Sequence, residues 1–288
     1  MKNKVCALLA GAIVSLLGSF ASADIIRYEV SGSVTSSTGG SPNEYVGASY
    51  KVDIVYNSDA EATSTNHYFG AVYSASLEIG EEKFCKAFYE STYYAPIRYY
   101  PELRFEQLID FERVVPSIQN PGGYEYAQGD EVKNVYSEIV LHDNDGVYPA
   151  GESLPTTLDL NQFEKKFASF DVGGVDLTCT IETIAFTTIT GNTVNVASPY
   201  FGKRLLYSNT WEHYTAVVAT PQIPGTKLRW YQSLDMSSWT ERTGFNSLFA
   251  FGGPVELRFH QRSGSEFPEG PSIEKAFYQV TSSYSVTP

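Results

Sequence analysis

The sequence predicts an all-β fold, with a larger jelly-roll-like β-sandwich domain followed by a small C-terminal β module. Aromatic residues are abundant, with 21 Tyr and 17 Phe in 288 residues, whereas only 2 Met are present. Aromatic and β-branched residues alternate with polar ones, and turn-forming residues interrupt these runs, which is the pattern of half-buried strands. The length favours more than one domain.

Four stretches carry the strand prediction. In SYKVDIVYN, alternation places four apolar or aromatic residues on one face, namely Tyr50, Val52, Ile54 and Tyr56. AVYSASLEIGEEKF is typical of a hairpin that turns at Gly80, and NVYSEIVLHDNDG of a strand that ends in an Asn-Asp-Gly turn. VDLTCTIETIAFTTIT also alternates, so Cys179 should face a core.

Helical signal is scarce and is strongest in TLDLNQFEKKFASF. Leu160, Phe163 and Phe167 fall there at helical spacing. A strand through KKFASFDV fits the same residues, so both interpretations of this stretch stay open.

The first 23 residues have the features of a secretory signal peptide. Lys2 and Lys4 precede an apolar run from Val5 to about Phe20, and residues 21–23, Ala-Ser-Ala, form a small-x-small cleavage site. We therefore expect an exported protein, extracellular or periplasmic, that begins at Asp24. No second apolar run is long enough for a bilayer, so no membrane span is expected after cleavage.

A change in composition near GNTVNVASPYFG predicts a domain boundary at about residue 196. The expected organisation is a signal peptide at residues 1–23, a β-sandwich domain at 24–195 and a small C-terminal β module at 196–288. All three tryptophans fall in the last segment.

The charge of the chain argues against one class of partner. The formal net charge is -13, and cleavage would remove two lysines and no acid, which leaves -15. Such a surface repels phosphate backbones, so nucleic acid is not an expected partner.

Two cysteines, Cys85 and Cys179, would remain after cleavage. An oxidising compartment would let them pair as a structural disulfide. Two buried thiols are the alternative, because alternation already turns Cys179 towards a core. No CxxC motif is present, which argues against redox chemistry.

The N-terminal part resembles the secreted β-rich domain of bacterial proteins that carry a PEP-CTERM sorting tail. The stretches that carry this resemblance are YEVSGSVTSSTGG, VGASYKVDIVYNSDA, YSASLEIG and IVLHDNDGVYPAGESLPTTLDLNQF. The Pro-Glu-Pro, membrane span and basic tail of that family are missing from this chain, so sorting and anchoring by that route are not carried over.

The C-terminal part resembles a small β module at the ends of secreted proteins of Verrucomicrobia and related bacteria. GTKLRWYQSLDMSSWTERTG, ELRFHQR and KAFYQV carry the resemblance, which implies a fibronectin-like sandwich. Neither family supplies catalytic residues that could be transferred. We expect Trp230 and Trp239 to fill the core of so small a module, next to Leu228 and Phe259; a ligand platform is the alternative.

Motifs for known chemistry are missing. The sequence contains no GxSxG, HExxH, Walker loop or dinucleotide fingerprint. The spacing of the four histidines, His67, His142, His213 and His260, does not make a metal-ligand set. Asp143 and Asp145 are oxygen donors near a turn, but the calcium-loop spacing is absent. Glu102, Glu106, Glu112 and Glu138 have no context that marks a glycosidase pair. No catalytic residue, metal or cofactor is predicted.

The most unusual segment is AFYESTYYAPIRYYPELRF. Its tyrosines are the candidate ligand-binding residues: Tyr89, Tyr93, Tyr94, Tyr99 and Tyr100. Prolines in the segment discourage a central strand and favour a loop or edge. Exposed tyrosines there would stack on sugar rings; the alternative is that they cover the edge of the sandwich.

The function expected from these features is that of an exported, non-catalytic structural or binding protein. The expected ligand is a polysaccharide or another component of the cell envelope. The alternative is a secreted carbohydrate-active enzyme with a jelly-roll domain. Two carboxylates about 5–10 Å apart in a cleft would favour the enzyme.

Overall fold

The structure is a computed structural model that describes residues 24–39, 44–60, 67–68, 71–87, 97–100, 104–118, 120–143, 154–189, 194–197, 200–207, 210–221, 225–233, 236–241, 248–251, 253–262 and 277–282. The predicted signal peptide lies outside these ranges. Within them the chain forms β-strands and two short 3₁₀ turns but no α-helix, which confirms the all-β prediction. Nor do these ranges contain a helix with the length and apolar character that crossing a bilayer requires.

The strands are, in chain order, β1 (Ile25–Thr38), β2 (Ser49–Asn57), β3 (His67–Tyr68), β4 (Val72–Ile79), β5 (Glu82–Ala87), β6 (Ile97–Tyr100), β7 (Arg104–Pro116), β8 (Gly123–Tyr126), β9 (Asn134–His142), β10 (Lys165–Val172), β11 (Val175–Cys179), β12 (Thr183–Ile189), β13 (Val194–Val196), β14 (Tyr200–Tyr207), β15 (Thr210–Pro221), β16 (Thr226–Ser233), β17 (Thr240–Glu241), β18 (Leu248–Ala250), β19 (Val255–Arg262) and β20 (Phe277–Ser282). The stretch TLDLNQFEKKFASF, for which both a helix and a strand were open, forms a 3₁₀ turn at Leu160–Gln162 and then strand β10. Its second half is therefore a strand.

Eight antiparallel strands close into a barrel: β1, β2, β4, β5, β7, β9, β10 and β11. Each pairs with the next one in this order, and β11 returns to pair with β1. The predicted jelly-roll-like sandwich differs from this closed barrel. The physical reason is that both architectures need the same alternation of inward and outward residues, so the alternation does not choose between them.

Side chains fill the barrel interior. The inward rows include the largest buried residues of the chain, among them Tyr28, Tyr50, Tyr56, Phe84, Phe105, Phe111 and Phe170. Tyr28 and Phe105 meet edge to face with ring centroids 5.6 Å apart, as do Tyr50 and Phe170 at 5.0 Å. This interior is therefore a packed core whose aromatic contacts join opposite strands.

Strand β1 changes its neighbour at Gly32. Its first half pairs with β12 and its second half with β11. A Cβ atom at Gly32 would lie 1.9 Å from the backbone oxygen of Thr180, between these two strands. The Tyr50 hydroxyl donates a hydrogen bond to the same oxygen at 2.8 Å. Only glycine leaves room for this close approach.

The C-terminal strands form two layers with a small core between them. β16 pairs with β17, β18 and β20 in one layer, whereas β15 pairs with β13, β14 and β19 in the other. Six buried residues lie between the layers: Ala219, Leu228, Leu248, Ala250, Val255 and Leu257. β18 also pairs with β8, so strands from both sides of residue 196 share one sheet. The domain boundary near residue 196 stays a prediction.

The C-terminal strands also cover part of the outer barrel wall. Phe249 of β18 packs against Cys85 and Val114, which belong to β5 and β7. A Cβ atom at Gly225 would lie 2.5 Å from the Cβ of Ser76 on β4. This region of the outer wall is therefore buried under the C-terminal strands.

Candidate functional site

Three of the longer strand connections leave from one end of the barrel. Because the strands are antiparallel and consecutive, the connections at residues 58–71, 88–103 and 143–164 leave from the same end. The opposite end has two tight turns, Gly80–Glu81 and Gly173–Gly174, and two longer connections, 39–48 and 117–133, the second of which contains β8. We call the first end the long-loop end. Binding residues are commonly found on loops that a rigid scaffold positions.

The tyrosine-rich segment belongs to this long-loop end. Tyr89, Tyr93 and Tyr94 lie outside the described residues. Tyr99 and Tyr100 are part of β6, where they pair with Phe105 and Arg104 of β7. The structure therefore places the last two candidates on a strand beside the barrel wall, whereas the sequence favoured a loop or edge.

Residues 154–163 pack against the barrel core at the same end. The Leu154 amide donates to the carbonyl of Ser58 at 3.0 Å, and the Tyr56 hydroxyl donates to the carbonyl of Pro155. Leu154 and Phe163 are buried in the same core cluster as the inward rows. This segment thus fixes one long connection against the barrel.

The predicted disulfide is absent, and this is a correction. Cys85 and Cys179 are both free and buried. Cys179 lies in the barrel core, whereas Cys85 faces outwards and contacts Phe249. Burial raises the pKa of Cys179 to about 12 and that of Cys85 well above its ordinary value. The wall of the barrel separates the two thiols, which makes them structural residues rather than reactive ones.

The prediction that Trp239 is buried is wrong. Trp239 is 39% exposed, beside the exposed Met236 and just before β17. It belongs to an exposed stretch, residues 236–239, and the small C-terminal core that contains Leu228 does not include it. Trp230 pairs with Val280 through β16 and β20; its side chain lies outside what the structure describes.

Two of the carboxylates named from the sequence, Glu106 and Glu138, lie at diagonal positions on the outer faces of the neighbouring strands β7 and β9, and Glu106 is buried. Glu112 lies further along β7, where Lys86 Nζ is 3.3 Å away. Glu102 and Asp145 are outside the described residues. In the described ranges, no three His, Cys, Asp or Glu side chains form a group that could hold a metal ion.

A polar cluster that the sequence did not predict lies at the opposite end of the barrel. The Tyr45 hydroxyl donates to Glu82 Oε2 at 2.7 Å, and Lys133 Nζ donates to Oε1 at 2.8 Å. Arg113 Nη2 lies 3.3 Å from the same Oε1. Burial acts to raise the pKa of Glu82, but the hydrogen bonds from Lys133 and Tyr45 outweigh it and hold that pKa below its usual value.

The four side chains of this cluster come from four parts of the barrel. Tyr45 lies in the β1–β2 connection, Glu82 begins β5, Arg113 belongs to β7 and Lys133 is the residue before β9. The carboxylate is held ionised by two cations, so it is a poor proton donor at neutral pH. Burial acts to lower the pKa of Lys133, but its hydrogen bonds to Glu82 and Tyr45 outweigh burial and raise that pKa. The pKa values of Glu82 and Lys133 are therefore both shifted away from 7. The cluster is therefore suited to holding the barrel closed.

The outer wall carries a second network on β1 and β2. Arg27 Nε donates to Asp53 Oδ1 at 2.7 Å, and Lys51 Nζ lies 3.6 Å from Oδ2. Burial raises the pKa of Asp53, although Arg27 and Lys51 oppose this. The alternation in SYKVDIVYN could have indicated that Asp53 faces outwards, but not that it is buried.

The sequence and the fold were compared with known proteins. No family model, no curated protein and no solved structure matches this chain.

Proposed function

We propose that this chain is an exported, non-catalytic binding protein and that its binding surface is the long-loop end of the barrel. The observation that carries the proposal is that the connections 58–71, 88–103 and 143–164 all leave the same end of the barrel. One of these connections contains the tyrosine-rich segment. The packed core and the Glu82 cluster supply the rigid scaffold on which such loops need to be mounted.

The proposed ligand is a polysaccharide or another component of the cell envelope. Tyrosine offers an aromatic face for the apolar face of a sugar ring and a hydroxyl for its polar rim. An uncharged glycan also avoids the electrostatic repulsion that the acidic chain would exert on an anionic ligand. These two arguments favour a neutral glycan among envelope components.

The proposal includes the C-terminal module as a fibronectin-like sandwich that supports the barrel. Its two layers with a small core are in keeping with a sandwich. The pairing of β18 with β8 would then hold the module at a fixed position on the outer wall.

Affinity electrophoresis through gels that contain neutral polysaccharides tests the binding proposal. Wild-type protein should be retarded by at least one glycan, and the triple variant Tyr93→Ala, Tyr94→Ala, Tyr99→Ala should lose the retardation. Tyr136→Ala is the matched control, because Tyr136 is an exposed tyrosine on the outer wall away from this segment. Equal retardation of both variants would refute the assignment of the site, and no retardation on any glycan would refute the ligand class.

Export is tested separately by mass spectrometry of the protein recovered outside the cytoplasm. The proposal expects Asp24 at the N-terminus. Protein that keeps Met1 would contradict it.

A further inference from the structure

Strand β12 has a neighbour on one side only, in the part of the chain that the structure describes. It pairs with β1 from Thr183 to Ile189, and no other described strand pairs with it. The preceding strand, β11, is flanked by both β1 and β10. β12 therefore continues the line of β11 beyond β10 and forms an open sheet edge.

The hydrogen bonds of β1 show which backbone groups of β12 lie at this edge. The Glu182 amide donates to the carbonyl of Ser31 at 2.9 Å, so the odd-numbered residues of β1 turn their backbone groups towards β12. They lie opposite the odd-numbered residues of β12. Because backbone groups alternate between the two sides of a strand, the N–H and C=O groups of Ile184, Phe186 and Thr188 point to the open edge.

β12 lacks the features that protect an open edge from pairing with another chain. Its sequence, TIAFTTI, contains no charged residue, no proline and no glycine. By contrast, the strands at the edges of the sheet around β15 are charged: β14 carries Lys203 and Arg204, and β19 carries Glu256 and Arg258. Natural edge strands are commonly short, charged or interrupted by proline, because these features prevent such pairing. The composition of β12 therefore permits it.

The side chains of β12 hold the strand on the barrel but leave it accessible. Phe186 packs against the barrel core, with its ring centroid 4.7 Å from that of Tyr28. Four of the seven side chains are exposed, namely Thr183, Ala185, Thr187 and Thr188. The strand is thus fixed in place by its inner side chains and by β1, and its edge can be reached from solvent.

We propose that β12 pairs with β12 of a second copy of this chain, antiparallel and across a two-fold axis at Phe186. The three residues with open backbone groups are symmetric about Phe186, so the strand is complementary to itself. Phe186 then pairs with its own counterpart, and Ile184 pairs with Thr188 of the second copy. Ala185 lies opposite Thr187 of the second copy, so the facing side chains carry no charge.

The local charge also favours a second copy as the partner. The chain is acidic, with a formal net charge of -13, so two copies repel each other unless the surfaces in contact are neutral. Beside β12, the charges on the outer rows of β1 and β2 balance, because Arg27 and Lys51 form ion pairs with Glu29 and Asp53. Glu182, just before β12, would lie roughly 25 Å from its counterpart along the paired strands, at about 3.3 Å per residue. This inference does not depend on the proposed glycan binding.

Sedimentation velocity of the mature chain measures the association. Concentrations from about 1 to 300 µM suit an interface of this small size, and the wild type should show a monomer–dimer equilibrium there. Thr188→Pro should weaken dimerisation about 10-fold or more, because proline removes an N–H that the open edge uses and that β1 does not. The melting temperature of the monomer should change little for the same reason.

Two double variants test the register. Ala185→Lys with Thr187→Lys places like charges opposite each other in the dimer, and so does Ala185→Glu with Thr187→Glu. Each double variant alone should be monomeric, whereas an equimolar mixture of the two should associate, because each lysine then lies opposite a glutamate. Thr178→Lys is the matched control: Thr178 is exposed on β11, where both edges are paired, so this variant should dimerise like the wild type.

Amide hydrogen exchange gives a readout without any variant. The amides of Ile184, Phe186 and Thr188 should exchange more slowly as the protein concentration rises. Those of Ala185 and Thr187 should not change, because they already bind β1. Protection of the first three amides at every concentration would overturn the proposal, because another segment of the same chain would then cover the edge.

Three further outcomes would also overturn it. A wild type that stays monomeric over the whole range would leave the edge to a strand of a different protein. A dimer that persists in Thr188→Pro and in both double variants would use another surface. Two monomeric double variants that do not associate when mixed would exclude the two-fold pairing at Phe186.

Discussion

Replacement of Glu82 with Gln should destabilise the barrel more than removal of an ordinary surface charge. Glu82 is contacted by Tyr45, Lys133 and Arg113, with distances of 2.7, 2.8 and 3.3 Å. The variant keeps the size of the side chain but removes its charge, so two cations lose their shared partner. The side chains of Glu82, Lys133 and Arg113 are 19%, 32% and 26% exposed, which places the cluster between buried and surface ion pairs.

The magnitude follows from these contacts. Exposed ion pairs contribute about 0.2–1 kcal/mol each, and hydrogen bonds to charged groups about 1.5–3 kcal/mol. Solvent screening reduces the second range for partly exposed groups, so Glu82→Gln should cost about 1–3 kcal/mol in total. Glu112→Gln is the matched control, because Glu112 is 47% exposed and has one ion pair, with Lys86 at 3.3 Å; it should cost below about 1 kcal/mol.

The pH dependence of this effect has a definite sign. The pKa of Glu82 is lowered in the folded state, so its contribution is present above the unfolded pKa, about 4.3, and is lost as the pH falls through the folded pKa. The difference between wild type and Glu82→Gln should therefore shrink as the pH falls below about 4. The pKa of Lys133 is raised, so its contribution is present below about pH 10 and is lost above its folded pKa.

Urea unfolding at pH 7 and at pH 3.5 measures the cost of Glu82→Gln and its decrease on acidification, provided that the m-value is unchanged between variants. If Glu82→Gln is no less stable than Glu112→Gln at pH 7, the cluster does not hold the barrel closed. A stability difference that grows on acidification would contradict the lowered pKa of Glu82.

Three further predictions concern other parts of the molecule. Gly32→Ala should cost about 3 kcal/mol or more in urea unfolding, because the new Cβ would meet the oxygen of Thr180 and force the two strands apart; a cost below 1 kcal/mol would contradict this close approach. Ellman's reagent should find no reactive thiol in the native mature chain and two thiols, Cys85 and Cys179, after unfolding without reductant; none after unfolding would mean a disulfide. Trp239→Ala should change the stability by less than about 1 kcal/mol, since the side chain is exposed; a loss of several kcal/mol would place Trp239 in a core.

Local alternation predicted the strands well, because it depends on neighbours within the same segment. Tyr50, Val52, Ile54 and Tyr56 do share the buried face of β2. The closure of the barrel was not predictable in this way, since it depends on the pairing of β11 with β1, about 140 residues earlier in the chain. Alternation gives each strand two faces and says nothing about which strands become neighbours.

The sequence also could not show whether a buried residue packs on the inner or the outer face of the barrel wall. Alternation turned Cys179 towards a core and said nothing of Cys85, yet both are buried. They are buried on opposite faces of the wall because the C-terminal strands cover the outer face around Cys85. The Glu82 cluster was also beyond prediction, because Tyr45, Arg113 and Lys133 come together only once the barrel has closed. A charged residue in a polar stretch carries no local sign of such partners.

Phe249 covers part of the outer barrel wall but is synthesised after all of the barrel strands. The last barrel strand, β11, ends at Cys179, whereas the residues that cover Cys85 and Ser76 are Phe249 and Gly225. A chain that emerges N-terminus first can therefore finish its barrel while the apolar patch around Cys85 still faces solvent. During that interval Cys85 is open to oxidation and to contact with other nascent chains. In a chain truncated between residues 189 and 225, the apolar patch around Cys85 would stay exposed to solvent.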